Sequence, residues 1–280
     1  MTALPARAGQ TDEQIREHYE IEKSLAAKLL EANKTERSAL YSSLYEELYR
    51  LVPHHPQLTR KISPEQRQQD IQHDLGLLKK FLNKDVSYLE VGPGDCAFSF
   101  AVADFVKKVF AVDVSKTITD TAVVPGNFNL ILSDGCSIPV PKGSIDIAFS
   151  NQLMEHLHPD DAYEQLSNIF DALAPDGVYV CITPNRLNGP HDISLHFDTV
   201  ATGFHLKEYT VHELSKLFKQ VGFSKTLISI SLKGRNFTVP VLPVVVCERM
   251  LELLPPGPRR KIASATPFRQ LINIRLIGTK

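Results

Sequence analysis

Residues 89–98 read "LEVGPGDCAF". The run that enters this stretch from Val86 is β-type, and the apolar pattern that leaves it is helical. Gly92 and Gly94 therefore stand in a strand-to-helix turn, where a missing Cβ lets the chain bend sharply and lets a ligand approach the backbone. A helix opening near Asp95 would offer that ligand unpaired N–H groups and a partial positive charge. The spacing from Gly92 through Gly94 to Ala97 also satisfies the dinucleotide fingerprint G-x-G-x-x-G/A, so the loop alone does not name what it holds.

Outward from this turn, short β-rich segments alternate with helical ones. The pattern predicts strands at 86–91, 108–114, 128–132, 145–150, 177–183, 224–232 and 271–278. Helices are predicted near 95–107, 115–122, 160–173 and 211–221. Such alternation implies an α/β fold, a parallel sheet with helices on both faces. Thr210 and Glu213 make a capping box at the head of the 211–221 helix, and Gly222 is its stop. Residues 235–268 carry six prolines and a predicted helix at 245–254, and read as an insert between the last two strands.

Upstream, residues 12–51 read as helical, with Ile21, Leu25 and Leu29, then Leu40, Leu44 and Leu48, at four-residue steps. Tyr41, Tyr45 and Tyr49 form a second row, read as helix packing. Ser63-Pro64-Glu65-Gln66 starts another helix, running to about residue 82. The expected division is a helical N-terminal cap over 1–62 and a main domain over 63–280.

The composition is that of a globular chain: 280 residues, 43% hydrophobic, 22% charged and a formal net charge of −1. Without a basic field, nucleic acid is not an expected partner. Cys96, Cys136, Cys181 and Cys247 form no C-x-x-C pair, and no histidines stand at zinc spacing. The N-terminus lacks the apolar core of a secretory signal, so a cytoplasmic protein is expected. The longest apolar run, Val239 to Cys247, is broken by Pro240 and Pro243 and falls far short of the roughly 20 residues that cross a bilayer. It reads first as a buried insert, then as a homodimer surface or substrate pocket, and last as a peripheral membrane contact.

Three carboxylates narrow the ligand. Asp113 ends the second strand about 20 residues after the first glycine, where an acid can accept both ribose hydroxyls. Glu90 lies two residues before Gly92, unfavourable for a pyrophosphate and favourable for a cationic head. Asp134 follows the third strand, where a carboxylate and neighbouring N–H groups can read an adenine edge.

Taken together, "YLEVGPGDCAF", "VFAVDVS", "SDGCSIPVPKGSIDIAFSNQLMEHL", "ALAPDGVYVCITPN" and "HLKEYTVHELSKLFKQVGF" resemble, in order, the motifs of class I S-adenosylmethionine-dependent methyltransferases. The resemblance covers about 85–280, with Cys96 in place of the family's third glycine. It implies a Rossmann-like, mostly parallel seven-stranded sheet with an antiparallel C-terminal strand, and N-terminal helices that can cover the site, with the tyrosine row as part of a lid. It implies S-adenosylmethionine as methyl donor and S-adenosylhomocysteine as product. It places the methionine end over Gly92 and Gly94 with Glu90 near its amino group, and the ribose on Asp113. Asp134, Gly135 and Cys136 would flank the adenine, and Asn151 and Gln152 would line the methyl-transfer side.

Displacement at a sulfonium needs alignment above all, and a hydroxyl acceptor gains from a base near neutral pKa. His156, in "MEHLHP" just past the fourth strand, is the candidate base, with a structural loop pair Glu155-His156 as its rival reading. His191, His196 and His205 are substrate-loop candidates in the long connection before the 211–221 helix. A metal held by His191, Asp192 and His196 matches no strong spacing, so none is expected. The expected acceptor is a small molecule methylated at oxygen: a sugar, a glycolipid precursor or a secondary metabolite. Alternatives are a nucleic-acid or protein methyltransferase, a non-catalytic binding module and a nicotinamide-dependent oxidoreductase.

Overall fold

The computed structural model describes residues 10–59, 63–115, 123–232 and 235–280. In chain order the elements are α1 (Asp12–Glu31), α2 (Lys34–Leu51), α3 (Pro56–Thr59), α4 (Pro64–Leu78), β1 (Ser87–Val91), α5 (Ala97–Ala103), β2 (Lys108–Asp113), β3 (Phe128–Leu132) and β4 (Ile145–Asn151). There follow α6 (Pro159–Ala172), β5 (Leu173–Thr183), α7 (Val211–Val221), β6 (Lys225–Leu232), β7 (Arg235–Pro240), α8 (Val241–Glu252), α9 (Pro256–Ser264), α10 (Phe268–Ile272) and β8 (Ile274–Thr279). The helix expected at 115–122 falls almost wholly outside the described residues.

The sheet runs β3-β2-β1-β4-β5-β8-β6-β7. The first five strands pair in parallel, and β8 enters antiparallel between β5 and β6. All seven expected strands are present. An eighth, β7, closes a hairpin with β6, so the segment read as a pure insert begins with sheet. Its Pro240 ends an edge strand, where a missing N–H is tolerated. The run Val239–Cys247 is two-faced rather than wholly buried: α8 buries Val244 and Leu251 and leaves Leu242, Val246 and Met250 exposed.

Strand alternation divides the core. Tyr88 packs with Leu75 and Leu78 of α4 and Val102 of α5 on one face, while Leu89 and Val91 pack with Leu166 of α6 and Phe218 of α7 on the other. The caps follow the sequence: Thr11, Asn33 and Thr210 each close a capping box, and Gly222 ends α7 at φ +124°. Strand order reverses between β1 and β4, which opens a crevice at the carboxyl ends of these strands. Among the described residues no helix is long and apolar enough to cross a membrane.

The helices α1 and α2 roof that crevice. Leu25, Leu29, Leu44, Leu48 and Val52 make a small core of their own, to which Phe204 from the β5–α7 connection is added. The Arg37 guanidinium bonds both oxygens of Asp161 on α6 at 2.6 Å, and Tyr41 donates to the same carboxylate at 2.8 Å. Arg37 is 7% and Asp161 2% exposed, so this is a buried, multiply bonded ion pair. On α1, Glu22 accepts from the Phe204 N–H at 2.9 Å, and the Tyr19 ring stacks on Phe197.

Candidate functional site

A cavity of about 840 Å³ lies between the strand ends and the roof. Its floor is the turn after β1. Gly92 sits at φ +70° and Gly94 at φ +56°, both in the left-handed region that favours glycine. A Cβ on Gly92 would stand 3.0 Å from the Leu153 side chain, whereas one on Gly94 would meet only open space. The backbone at Gly94 is therefore the bare edge of a cradle. Cys96 keeps the left-handed backbone expected of the glycine it replaces, at φ 60°, with its side chain buried.

Asp113 ends β2 in the cavity wall. Burial raises its carboxyl pKa, and the N–H groups of Ser115, Val114 and Gly94 pull the other way. Its Oδ1 accepts from the Ser115 N–H at 3.1 Å, and an acid so held at the mouth of a cradle is placed to accept ribose hydroxyls. Across the cavity, Gly135 sits at φ +94° beneath Tyr41, whose ring leaves no room for a Cβ. The neighbouring Asp134 carboxylate does not face the cavity. Its Oδ1 accepts from the Ser137 N–H at 2.7 Å and the Cys136 N–H at 3.0 Å, and so shapes the loop from within. Burial works against its charge, but these donors hold its pKa below the ordinary range. Cys136 is buried and contributes to the loop through its backbone.

Two other expected donor contacts are placed elsewhere. Glu90 shares the α4/α5 face of β1 with Tyr88, not the cavity side. Its carboxyl is bonded by the Ser99 hydroxyl and is 5% exposed, and burial pushes its pKa up to about 8. Asn151 donates to Asp74 on α4 at 2.9 Å and lies outside the cavity wall. Gln152 does line the cavity, at φ +54°, with Leu153 beside it.

The opposite end is built by the roof. Leu29, Leu40, Leu44, Tyr45, Tyr49 and Phe204 line it, together with His156. The tyrosine row thus belongs to a lid as well as to helix packing. His156 Nδ1 stands 3.0 Å from the Phe204 carbonyl and 3.0 Å from the Tyr45 hydroxyl. A carbonyl only accepts, so Nδ1 carries the proton and Nε2 the lone pair. Burial, reinforced by the nearby His205, pulls the His156 pKa down to about 4, which keeps the ring neutral.

The substrate-loop histidines serve the loop's own order. Glu208 accepts from the His191 N–H at 2.7 Å and pairs with His205 Nδ1 at 2.8 Å. Burial opposes its charge, and His191 and His205 together bring its pKa to about 2. Asp192 accepts from the N–H groups of Ser194 and Gly203 and from the Ser194 hydroxyl, so it is engaged by its own loop. His196 packs beside Phe197 and is outside the cavity wall. What the sequence reading missed is long-range. Arg37–Asp161 and Glu22–Phe204 join segments far apart in the chain, and neither has a local signature.

The donor-side residues fit S-adenosylmethionine: a bare glycine edge, a ribose-type acid at the next strand end and a second glycine loop surround one space. Among the described residues no lysine or arginine lines it. A methyltransferase domain family matches residues 89–181. A probable S-adenosylmethionine-dependent methyltransferase of Mycolicibacterium smegmatis is 29% identical over 136 residues, 48% of this chain and 51% of that protein. The chain thus matches about half the length of that relative. Among solved structures, a SAM dependent methyltransferase from Archaeoglobus fulgidus aligns with TM-score 0.52 at 19% identity, over 86% of this chain and all of that one. Phosphoethanolamine N-methyltransferase 1 of Haemonchus contortus, in complex with phosphoethanolamine and S-adenosylhomocysteine, aligns with TM-score 0.50 at 15% identity, over 69% of this chain and 45% of that one. At these identities the two structures speak for the fold.

Proposed function

We propose that this chain, a class I S-adenosylmethionine-dependent methyltransferase by motif and fold, methylates a small molecule at a hydroxyl oxygen. One observation carries the choice of acceptor. The cavity beyond the donor loops is roofed by the chain's own leucines and tyrosines, and no lysine or arginine among the described residues faces it. Nucleic acids and phosphorylated acceptors are held by cations, so this wall favours a neutral acceptor with an apolar body. Sugars, glycolipid precursors and secondary metabolites that present such a body fit it.

When bound, the donor supplies an electrophilic methyl on a positively charged sulfur. The chain's own residues do the rest. Gly92 and Gly94 leave room for the methionine end, and Asp113 accepts from the ribose hydroxyls. The loop at Gly135 flanks the base, with Asp134 holding that loop in shape. Gln152 and Leu153 border the transfer side. The cap, taken as residues 1–62 over a domain of 63–280, excludes water and orders the acceptor, and orientation is the largest contribution such a transfer can receive. Burial makes His156 a weaker base than the near-neutral one expected, but it keeps Nε2 unprotonated to orient the attacking hydroxyl and take its proton, with the tautomer fixed by the Phe204 carbonyl.

The test is a tritium transfer. Full-length chain with methyl-labelled S-adenosylmethionine is incubated with separate pools of small hydroxylated molecules, RNA and protein. Label is expected in the low-mass pool alone, with at least roughly 100-fold less in His156→Ala, the scale of a lost general base. Label in RNA or protein and none in small molecules overturns the acceptor assignment.

A further inference from the structure

Three ligand-type side chains converge beside the acceptor end. Glu155 and His156 come from the turn after β4, and His205 from the β5–α7 connection. One ligand atom from each lies within 4.8 Å of the other two, and the two imidazoles meet edge to face with centroids 4.9 Å apart.

Each ring already has a partner on Nδ1. His156 Nδ1 donates to the Phe204 carbonyl, and His205 Nδ1 is held by Glu208 at 2.8 Å. Carbonyl and carboxylate partners of this kind fix the tautomer and orientation of metal-bound histidines and leave Nε2 to ligate. Glu155 accepts from the Thr183 hydroxyl with Oε2 at 2.8 Å, while Oε1 is buried with no hydrogen-bond partner in a residue 0% exposed. A buried oxygen without a partner calls for an explanation, and a cation is the natural one.

We infer that Glu155, His156 and His205 form a two-histidine, one-carboxylate site for a divalent transition ion of the zinc or iron(II) type. Imidazole ligands select these ions over magnesium and calcium, which take oxygen shells. Three protein ligands leave a coordination position for water or for an acceptor oxygen. Bond lengths of about 2.0–2.2 Å require the three donor atoms to draw together on loading, a movement of side-chain scale. The other buried group of this kind, His18, Glu22 and His55, is a weaker candidate. Both Glu22 oxygens there are already engaged, by His18 and by the Phe204 N–H. The sequence predicts no metal and offers His191, Asp192 and His196 as the weaker alternative; the Asp192 carboxylate of that set is engaged by its own loop.

The inference rests on the reading of His156 at the acceptor end and changes its role. With an ion bound, the Nε2 lone pair is occupied and an acceptor oxygen meets the metal instead.

The experiment uses full-length chain stripped with chelator, then titrated with Zn²⁺ and with Co²⁺ as a spectroscopic substitute. Affinity for S-adenosylhomocysteine is measured on the same sample. Expected are one ion per chain, visible Co²⁺ d–d bands, and affinity weakened at least about 100-fold in Glu155→Gln and His205→Ala, beyond the effect of losing an outer partner. His73→Ala, on the exposed face of α4, should bind as the native chain does and controls for surface histidines. His205→Asn, checked for native circular dichroism, replaces His205→Ala if that variant does not fold. A chain that binds S-adenosylhomocysteine yet takes up no ion overturns the site and leaves His156 as a base. Ion binding unchanged in both ligand variants overturns it equally. An ion held without any binding of S-adenosylhomocysteine would support the site and count against the methyltransferase reading instead.

Discussion

The two ends of the cavity are made of different material. The end proposed for the methyl donor is backbone: Gly92 and Gly94 at positive φ, Gly135 on the facing loop, and Asp113 held by the Ser115 N–H at a strand end. Every part lies within a few residues of a strand terminus, so the sheet alone positions it. The end proposed for the acceptor is side chains from distant segments, α2 over α6 and α1 over the β5–α7 connection, joined by Arg37–Asp161, Glu22–Phe204 and Tyr45–His156. The first end comes with the sheet, and the second is completed by α1 and α2 packed over it.

The hardest test of that contrast is Arg37→Ala. It leaves Asp161 buried without its countercharge, so urea unfolding should show a loss of about 3–5 kcal/mol. Arg37→Met combined with Asp161→Leu should recover much of it. A loss below about 1 kcal/mol for the single change would break the claim that one ion pair fastens the roof. Asp113→Ala tests the other end. Titration with S-adenosylhomocysteine should weaken by roughly 2–3 kcal/mol, the worth of hydrogen bonds to a charged group, while unfolding stability changes far less.

Glu90→Gln sharpens the contrast through pH. The folded carboxyl titrates near 8 against an ordinary 4.5, so between these values the folded state binds more protons than the unfolded one. Stability is then greatest below pH 4.5 and falls as pH rises toward 8, by about 1 kcal/mol per pH unit at the steepest. Glu90→Gln should flatten this slope in unfolding measured from pH 5 to 8, and an unaltered slope would place its origin elsewhere. The smallest effect is expected from Cys96→Gly. Relief of the left-handed backbone is offset by lost burial and a more flexible unfolded chain, so thermal unfolding should move by less than about 1 kcal/mol. A loss above about 2 kcal/mol would show that the cysteine side chain, not the backbone, shapes this turn.

The same contrast explains what could be read from the sequence. Gly92, Gly94, Asp113 and Gly135 carry local signatures, because the turn and the strand end that need them are contiguous in the chain. Five parallel strands and the capping box at Thr210 were legible for the same reason. Strand β7 was hidden by the prolines that follow it, and its pairing with β6 depends on a partner rather than on its own pattern. Glu90 sits in the family motif, yet strand alternation turns it to the α4/α5 face, a distinction that periodicity contains but motif matching overlooks. The grouping of Glu155 and His156 with His205, like Arg37 with Asp161, is a fact of tertiary packing with no trace in local spacing.

Among the described residues the cavity wall holds no lysine or arginine, which bears on turnover. Among its described residues it does carry carboxylates, Glu46, Asp95 and Asp113. Methyl transfer converts a cationic sulfonium into a neutral thioether, so the spent molecule loses an attraction that a fresh one retains. On the proposed methyl-transfer function, the cavity would discriminate between incoming and outgoing forms of one nucleoside by their charge, and product inhibition by S-adenosylhomocysteine should weaken as ionic strength falls.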